Sequence, residues 1–188
     1  MDPRTAFLRD ALSGDAAAAE HLLMAWLPEV LGWCMRLGGP KVDASDAAQD
    51  VGIVLWTRLH EIRDPDCFPA WIFQVTRRVL AAHRRRAWIR RWVGPVPNRY
   101  AASAAAPDRG DLSHRVQATL ERIPTRQREA LVLVYAEGRT VAETAHLLGI
   151  SPNTVKSRLR LGRLAFREAA EATGLDPDWE IPAQEAAP

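Results

Sequence analysis

Apolar residues recur along this chain at helical spacing, and no alternating β-branched run or Asn-Gly or Asp-Gly hairpin turn breaks the pattern, so it predicts helices and no sheet. In AAAAEHLLMAWLPEVLGWCMRL, the residues Leu22, Leu23, Trp26, Val30 and Met35 fall on one stripe. Asp15 precedes this stretch as a cap, Gly38-Gly39-Pro40 ends it, and Pro28 inside it predicts a kink or break. A second helix opens at Asp43, with Asp46 three residues on as a capping-box partner. It carries Val51, Val54, Leu55 and Leu59 inward and ends near Ile62. After the short loop RDPDCF, a third helix places Phe68, Trp71, Ile72, Val75 and Val79 on one stripe and arginines on the other face.

Between Val93 and Asp111 the periodicity collapses. GPVPNRYAASAAAPDRGD holds three prolines, two glycines and a tract of small residues, the composition of a linker. An unstructured excursion of about that length is uncommon inside a compact domain, so two modules are expected. Beyond it, Asp111 caps LSHRVQATLERI, and Pro124 suits the first turn of TRQREALVLVYAEG, closed by Gly138. Thr140 and Glu143 have capping-box spacing at the start of a short helix ending at Leu148-Gly149. Ser151-Pro152 then begins a helix running to about Ala172 before Gly174. The expected fold is all-α: two small helical modules joined by a flexible linker, the C-terminal one containing a helix-turn-helix. The boundaries are 1–92, a linker at 93–110, 111–173, and an acidic tail at 174–188.

Charge changes this picture more by where it lies than by its sum. The formal net charge is +2, from 25 basic and 23 acidic residues, and all but Lys41 and Lys156 of the bases are arginine. Arg77, Arg78, Arg84, Arg85, Arg86, Arg90 and Arg91 crowd one stretch that has no acid, while DASDAAQD and the tail after Gly174 are acidic without a base. Such patterning predicts a polyanion on one face and a basic partner on another. The two cysteines, Cys34 and Cys67, form no CxxC and read as reduced, buried thiols of a cytoplasmic protein. No apolar run reaches the roughly 18 residues of a membrane span, and MDPRTAFLRD lacks the apolar core of a signal peptide.

Two constellations carry candidate chemistry. In TVAETAHLLGISPNTVKSRLRLGRLAF, Ala142, Ala145 and Leu148 are expected inward, Gly149 permits the turn, and Ile150, Val155 and Leu159 lock the second helix. That leaves Asn153, Lys156, Ser157 and Arg160 outward near the helix start, where recognition helices reach base edges. An ordinary helical hairpin with a solvated basic face is the plainer alternative; matching caps, glycine turn and basic face argue against it. In the arginine-rich helix, Trp71, Phe73, Trp88 and Trp92 interleave with cations, the combination that holds single strands by phosphate contact and stacking. For Trp71, core and stacking platform stay equally open. A membrane-surface helix would use the same residue types but fits the compact pattern less well.

These residues resemble a family. The order D-x-x-D-x-x-Q-D, F-x-x-W-I and a basic helix, then a Pro-rich linker, then I-P-x-x-x-R-E-A-L-x-L-x-Y-x-E-G and T-V-K-S-R-L, is similar to extracytoplasmic-function sigma factors of bacterial RNA polymerase. The likeness spans about residues 15–92, the family's region 2, and 111–170, its region 4. It implies that Asp46, Gln49 and Asp50 dock on core RNA polymerase. It implies minus-10 DNA binding by Phe68, Trp71, Arg77, Arg78, Arg84, Arg85 and Arg86, with Ile72 beside them. Minus-35 DNA binding falls to Asn153, Thr154, Lys156, Ser157, Arg158, Arg160 and Arg163. Of these, Lys156 and Ser157 would specify sequence, whereas Arg158 and Arg163 would hold backbone or structure. The expected partners are core polymerase and promoter DNA, duplex and melted, with an anti-sigma factor as a further partner the family allows. Three positions depart from the pattern: Arg78 where asparagine is usual, Ala82 where aspartate is frequent, and Leu161 where arginine is frequent.

No catalytic, metal or cofactor site is expected. The five histidines are scattered, and no glycine-rich phosphate loop, nucleophile elbow or HExxH occurs. A stand-alone repressor or response-regulator output domain would explain the helix-turn-helix but leave the acidic helix idle. A protein-interaction module would explain the helices but not the outward Lys156, Ser157 and Arg160.

Overall fold

The computed structural model describes residues 7–93 and 112–175 and, within them, the side chains of 7–89 and 115–175. The expected linker from 94 onward, the cap at Asp111, the side chains of Arg90, Arg91 and Trp92, and the tail beyond 175 lie outside the described residues. Every regular element among the described residues is helical. They belong to two compact units, one drawn mainly from the chain up to Val96 and the other mainly from Pro97 onward.

The first unit is a bundle of three long helices, α2 (Ala16–Gly38), α3 (Ala44–Arg58) and α4 (Phe68–Val93), each packed on the other two. A five-residue helix, α1 (Leu8–Leu12), lies on α2 and buries Leu8 and Ala11, an element the short polar N-terminal sequence does not announce. Asp15 caps α2 by accepting from the backbone N–H groups of Ala17 and Ala18, and Asp43 caps α3 by accepting from those of Ser45 and Asp46. The expected reciprocal bond from Asp46 does not form. Its side chain is one methylene shorter than the glutamate a capping box uses. Helix α2 also runs unbroken through Pro28.

Aromatic side chains fill the middle of this bundle. Trp26 meets Phe68 edge-on at 5.4 Å and Trp33 at 6.3 Å, while Trp33 meets Phe73 edge-on at 4.9 Å. Leu22, Val30 and Leu37 of α2, Val51 and Leu55 of α3, and Ile72 and Leu80 of α4 surround them, all fully or almost fully buried. Met35, expected inward, is 59% exposed. The stripe continues through Trp33 and Leu37 instead, at the steps of four, three and four residues that follow Trp26 and Val30. Burial also pushes the Cys34 thiol up to about 12, so it packs as a small hydrophobe. Cys67 is exposed, contrary to expectation, in a 3₁₀ turn at Pro65–Cys67, and its Sγ donates to Asp64 Oδ2 at 3.4 Å.

The second unit is drawn from α5 (Leu112–Arg122), α6 (Thr125–Leu131), α7 (Val141–Leu148), as far as His146, and α8 (Pro152–Thr173). Helix α8 packs on both α5 and α6. Gly162 lets α8 approach α6 closely: a Cβ there would lie 3.0 Å from Leu131 Cγ. Helix α6 passes directly into a π turn at Val132–Ala136, where the Glu137 N–H donates to the Val132 carbonyl. Burial is continuous from Arg128 through Val134, across the end of α6 and into this turn, so the segment is enclosed on every side and not along a single stripe. The C-terminal end of α8 is tied to α5 by the Thr173 and Thr119 hydroxyls, 2.6 Å apart.

Candidate nucleic-acid and polymerase interfaces

The turn between α7 and α8 is built by local chemistry. At the start of α7 the capping box forms in both directions. Glu143 Oε2 accepts from the Thr140 backbone N–H at 2.8 Å, and Thr140 Oγ1 accepts from the Glu143 N–H at 3.2 Å. Gly149 then takes a left-handed φ of 66°, and the Ile150 N–H closes the turn on the Ala145 carbonyl. Ser151 caps α8 by accepting from the Thr154 N–H at 3.2 Å, with Pro152 in the first helical position.

The accepted bonds favour the charged form of Glu143 and hold its carboxyl below the ordinary glutamate range, chiefly through the Thr140 backbone N–H. The unfolded chain lacks these bonds. Their contribution is therefore complete above the ordinary glutamate value and disappears as pH falls through the lowered one. Glu143→Gln keeps an oxygen for the Thr140 N–H but loses the charge, so it should lower stability at neutral pH by only a fraction of the about 1 kcal/mol that a whole cap contributes. The difference from wild type should shrink toward zero in acid; a difference that stays constant in a thermal melt series would rule out the charged cap.

On α8, Val155 and Leu159 are buried, while Asn153, Thr154, Lys156, Ser157, Arg160 and Arg163 are exposed. The Thr154 hydroxyl lies 2.9 Å from the Ser151 hydroxyl, so part of its bonding capacity serves the cap. Arg158 is half-buried on the flank. At about 100° per residue, Lys156 and Arg163 differ by little in direction and are separated along the axis instead. Ala145 and Leu148 are buried as expected, but Ala142, expected inward with them, is exposed and Thr144 is buried instead. Leu161 and Leu164 add an exposed apolar pair to the outer side of α8.

In the first unit, Asp46 and Gln49 are exposed on α3 and Asp50 is half-buried. The sequence reading missed their neighbours Ile53 and Trp56, which are 61% and 53% exposed. Their phase was the available signal. Both lie away from Val51 and Leu55, so a single inward stripe leaves no room for them. Asp50 faces α4: its Oδ2 lies 2.9 Å from His83 Nε2 and 3.6 Å from an Arg86 guanidinium nitrogen.

The arginine run on α4 divides, because consecutive helical residues point in different directions. Arg84 donates to the carbonyl of Leu37 near the end of α2 at 3.1 Å, Arg86 turns toward Asp50, and Arg85 is exposed. Arg77 donates to Gln74 Oε1 at 2.9 Å, and Arg78 is exposed. Arg78, Ala82, Arg85 and Ile89 share one exposed face with half-exposed Trp71 at its start and Trp88 at its border. Phe68 is fully buried against Trp26 and Trp71, so it supports Trp71 from below and offers no face to a base. Phe73 is likewise core. Among the described residues no group of His, Cys, Asp and Glu could hold a metal ion, and no helix is long and apolar enough to cross a membrane.

Two family models match the chain: sigma-70 region 2 over residues 22–90 and sigma-70 region 4 over residues 113–166. The ECF RNA polymerase sigma factor EcfG of Rhodopseudomonas palustris is 28% identical, over 90% of this chain and 93% of its own length. The ECF RNA polymerase sigma factor SigL of Mycobacterium tuberculosis is 29% identical, over 87% of this chain and 97% of its own. Two solved structures share the fold. CnrH, in complex with the cytosolic domain of CnrY, superposes with a TM-score of 0.66 at 24% identity, covering 90% of this chain and 97% of that one. The sigma factor RpoE, in complex with the anti-sigma factor NepR from Bartonella quintana, gives 0.60 at 21% identity, covering 81% and 96%. With both region models matched in order on two helical units, the chain belongs to the sigma-70 family, as an extracytoplasmic-function sigma factor that directs promoter-specific transcription initiation by RNA polymerase.

Proposed function

We propose that the two units divide initiation between them, residues 1–92 acting as region 2 and residues 111–173 as region 4, with 93–110 as the tether. Helix α3 docks on core polymerase through Asp46, Gln49 and Asp50, with Ile53 and Trp56 supplying the apolar part of the same surface. Helix α4 tracks the melted minus-10 strand with Arg78 and Arg85, while Trp71 offers a stacking face. Helix α8 reads the minus-35 duplex with Asn153, Lys156, Ser157 and Arg160. The phosphodiester chemistry stays with the polymerase, so the chain acts without catalysing, in the cytoplasm. An anti-sigma factor is a further partner, since two relatives of the same fold are described in complexes, one of them with an anti-sigma factor.

The observation that carries this reading is α8. Its buried Val155 and Leu159 force Asn153, Lys156, Ser157 and Arg160 outward at the start of a capped helix. Purified core polymerase, genomic DNA and this protein should yield transcripts from a defined promoter set absent without it. A repressor would instead hold duplex DNA without polymerase and start no transcript. Exposed aromatics are disproportionately strong interface residues. Trp56→Ala should therefore weaken core binding by about tenfold or more, with the melting temperature near wild type. Unchanged co-elution with core polymerase would remove Trp56 from the docking surface.

A further inference from the structure

The docking surface on α3 and the nucleic-acid helix α4 meet at one carboxylate. Asp50 sits on α3 beside exposed Asp46 and Gln49, yet its Oδ2 is held from α4 by His83 at 2.9 Å and approached by Arg86 at 3.6 Å. The His83 side chain is 15% exposed, against 42% for Asp50 and 66% for Arg86. An ionised carboxylate only accepts, so the imidazole nitrogen facing it must carry the hydrogen and donate. A short bond to a nearly buried ring fixes the carboxylate far better than a long pair to a solvated guanidinium, which is worth little. Both contacts fall on Oδ2. Oδ1 has no partner among the described residues, so on a side chain still 42% exposed it is the oxygen left for an incoming donor.

We propose that His83 is a positioning residue for core-polymerase docking: it holds Asp50 in one rotamer and so presents Oδ1 to a basic partner. The inference rests on the docking role of Asp50 proposed above. Without the imidazole, Asp50 would have to give up its side-chain freedom on binding, a cost of order RT for one short side chain plus the lost orienting bond.

The test is a double-mutant cycle on the full chain, measuring the affinity for core polymerase by anisotropy and the fold by thermal melting. Asp50→Ala, which removes the acceptor, should weaken binding by about tenfold and His83→Ala by about fivefold. His83→Gln can donate from its amide to the same oxygen and should recover most of the loss. In the Asp50→Ala background, His83→Ala should cost nothing further. Wild-type affinity for His83→Ala, with Asp50→Ala weakened, overturns the positioning role. So does a His83→Ala loss that persists in the Asp50→Ala background, or one that His83→Gln fails to relieve, since both mark a role in packing alone. If Asp50→Ala itself leaves binding unchanged, the docking assignment of Asp50 falls and takes this inference with it, an outcome the cycle separates from the other two.

Discussion

Lys156→Ala should flatten the preference at one or two positions of the minus-35 element, while Arg163→Ala lowers transcription from every promoter by a similar factor. Both side chains are exposed and lie on the same side of α8, so direction does not separate them. Depth does. Recognition helices enter the major groove by their N-terminal residues. Lys156 is in the second turn of α8, and Arg163 lies about 10 Å farther along at 1.5 Å per residue. If α8 enters the groove by its N-terminal turns, that distance should bring Arg163 to the flanking strand and not to the groove floor. A lysine at a base edge discriminates by about 1–3 kcal/mol. An arginine on phosphate contributes to every sequence alike and steepens the salt dependence. Half-buried Arg158 should behave as part of the fold, with Arg158→Ala lowering the melting temperature before it alters preference. Transcription from a randomised promoter library reads all three. A re-ranking of promoters by Arg163→Ala with uniform loss for Lys156→Ala would place the base-reading segment two turns farther down α8.

What the sequence made legible is what short-range chemistry decides. Thr140 with Glu143, Gly149 at positive φ, and Ser151 before Pro152 are each fixed by a few neighbouring backbone groups, and all form as read. The outward set on α8 follows from them, because the caps set where the helix starts and the period does the rest. What periodicity could not give is contact across helices. Arg84, Arg85 and Arg86 are indistinguishable in sequence, and their fates differ because Leu37 and Asp50 lie in different directions from α4. Phe68 and Trp71 both fit an apolar stripe, but Phe68 faces Trp26 inside the bundle while Trp71 stays half-exposed. The Asp50–His83 bond joins residues 33 apart and belongs to no motif. The π turn after Leu131 escaped because a wider turn shifts the phase of everything that follows it.

Arg78→Ala with Arg85→Ala should reduce open-complex formation, whereas Arg84→Ala should cost stability instead. Arg78 and Arg85 are exposed on one face of α4 and have no polar partner among the described residues, so each keeps its full charge for a phosphate. Arg84 is half-buried and satisfies the Leu37 carbonyl near the end of α2, a place where a cation also meets the favourable end of the helix dipole. Each phosphate contact on a single strand adds about 0.7 to the slope of log affinity against log salt. The double alanine variant should therefore lose about 1.4 from that slope at matched core occupancy, with an unchanged melting temperature. The Arg84→Ala variant should keep the slope. It should unfold at a lower temperature, since the carbonyl it serves loses its side-chain partner at a cost of about 1 kcal/mol or more. Permanganate footprinting of the minus-10 region across a salt series, paired with thermal melts, distinguishes the two classes. Equal melting by the double variant at every salt concentration would make Arg78 and Arg85 a solvated face. A slope lost on Arg84→Ala alone would mean that this arginine leaves Leu37 to hold the strand.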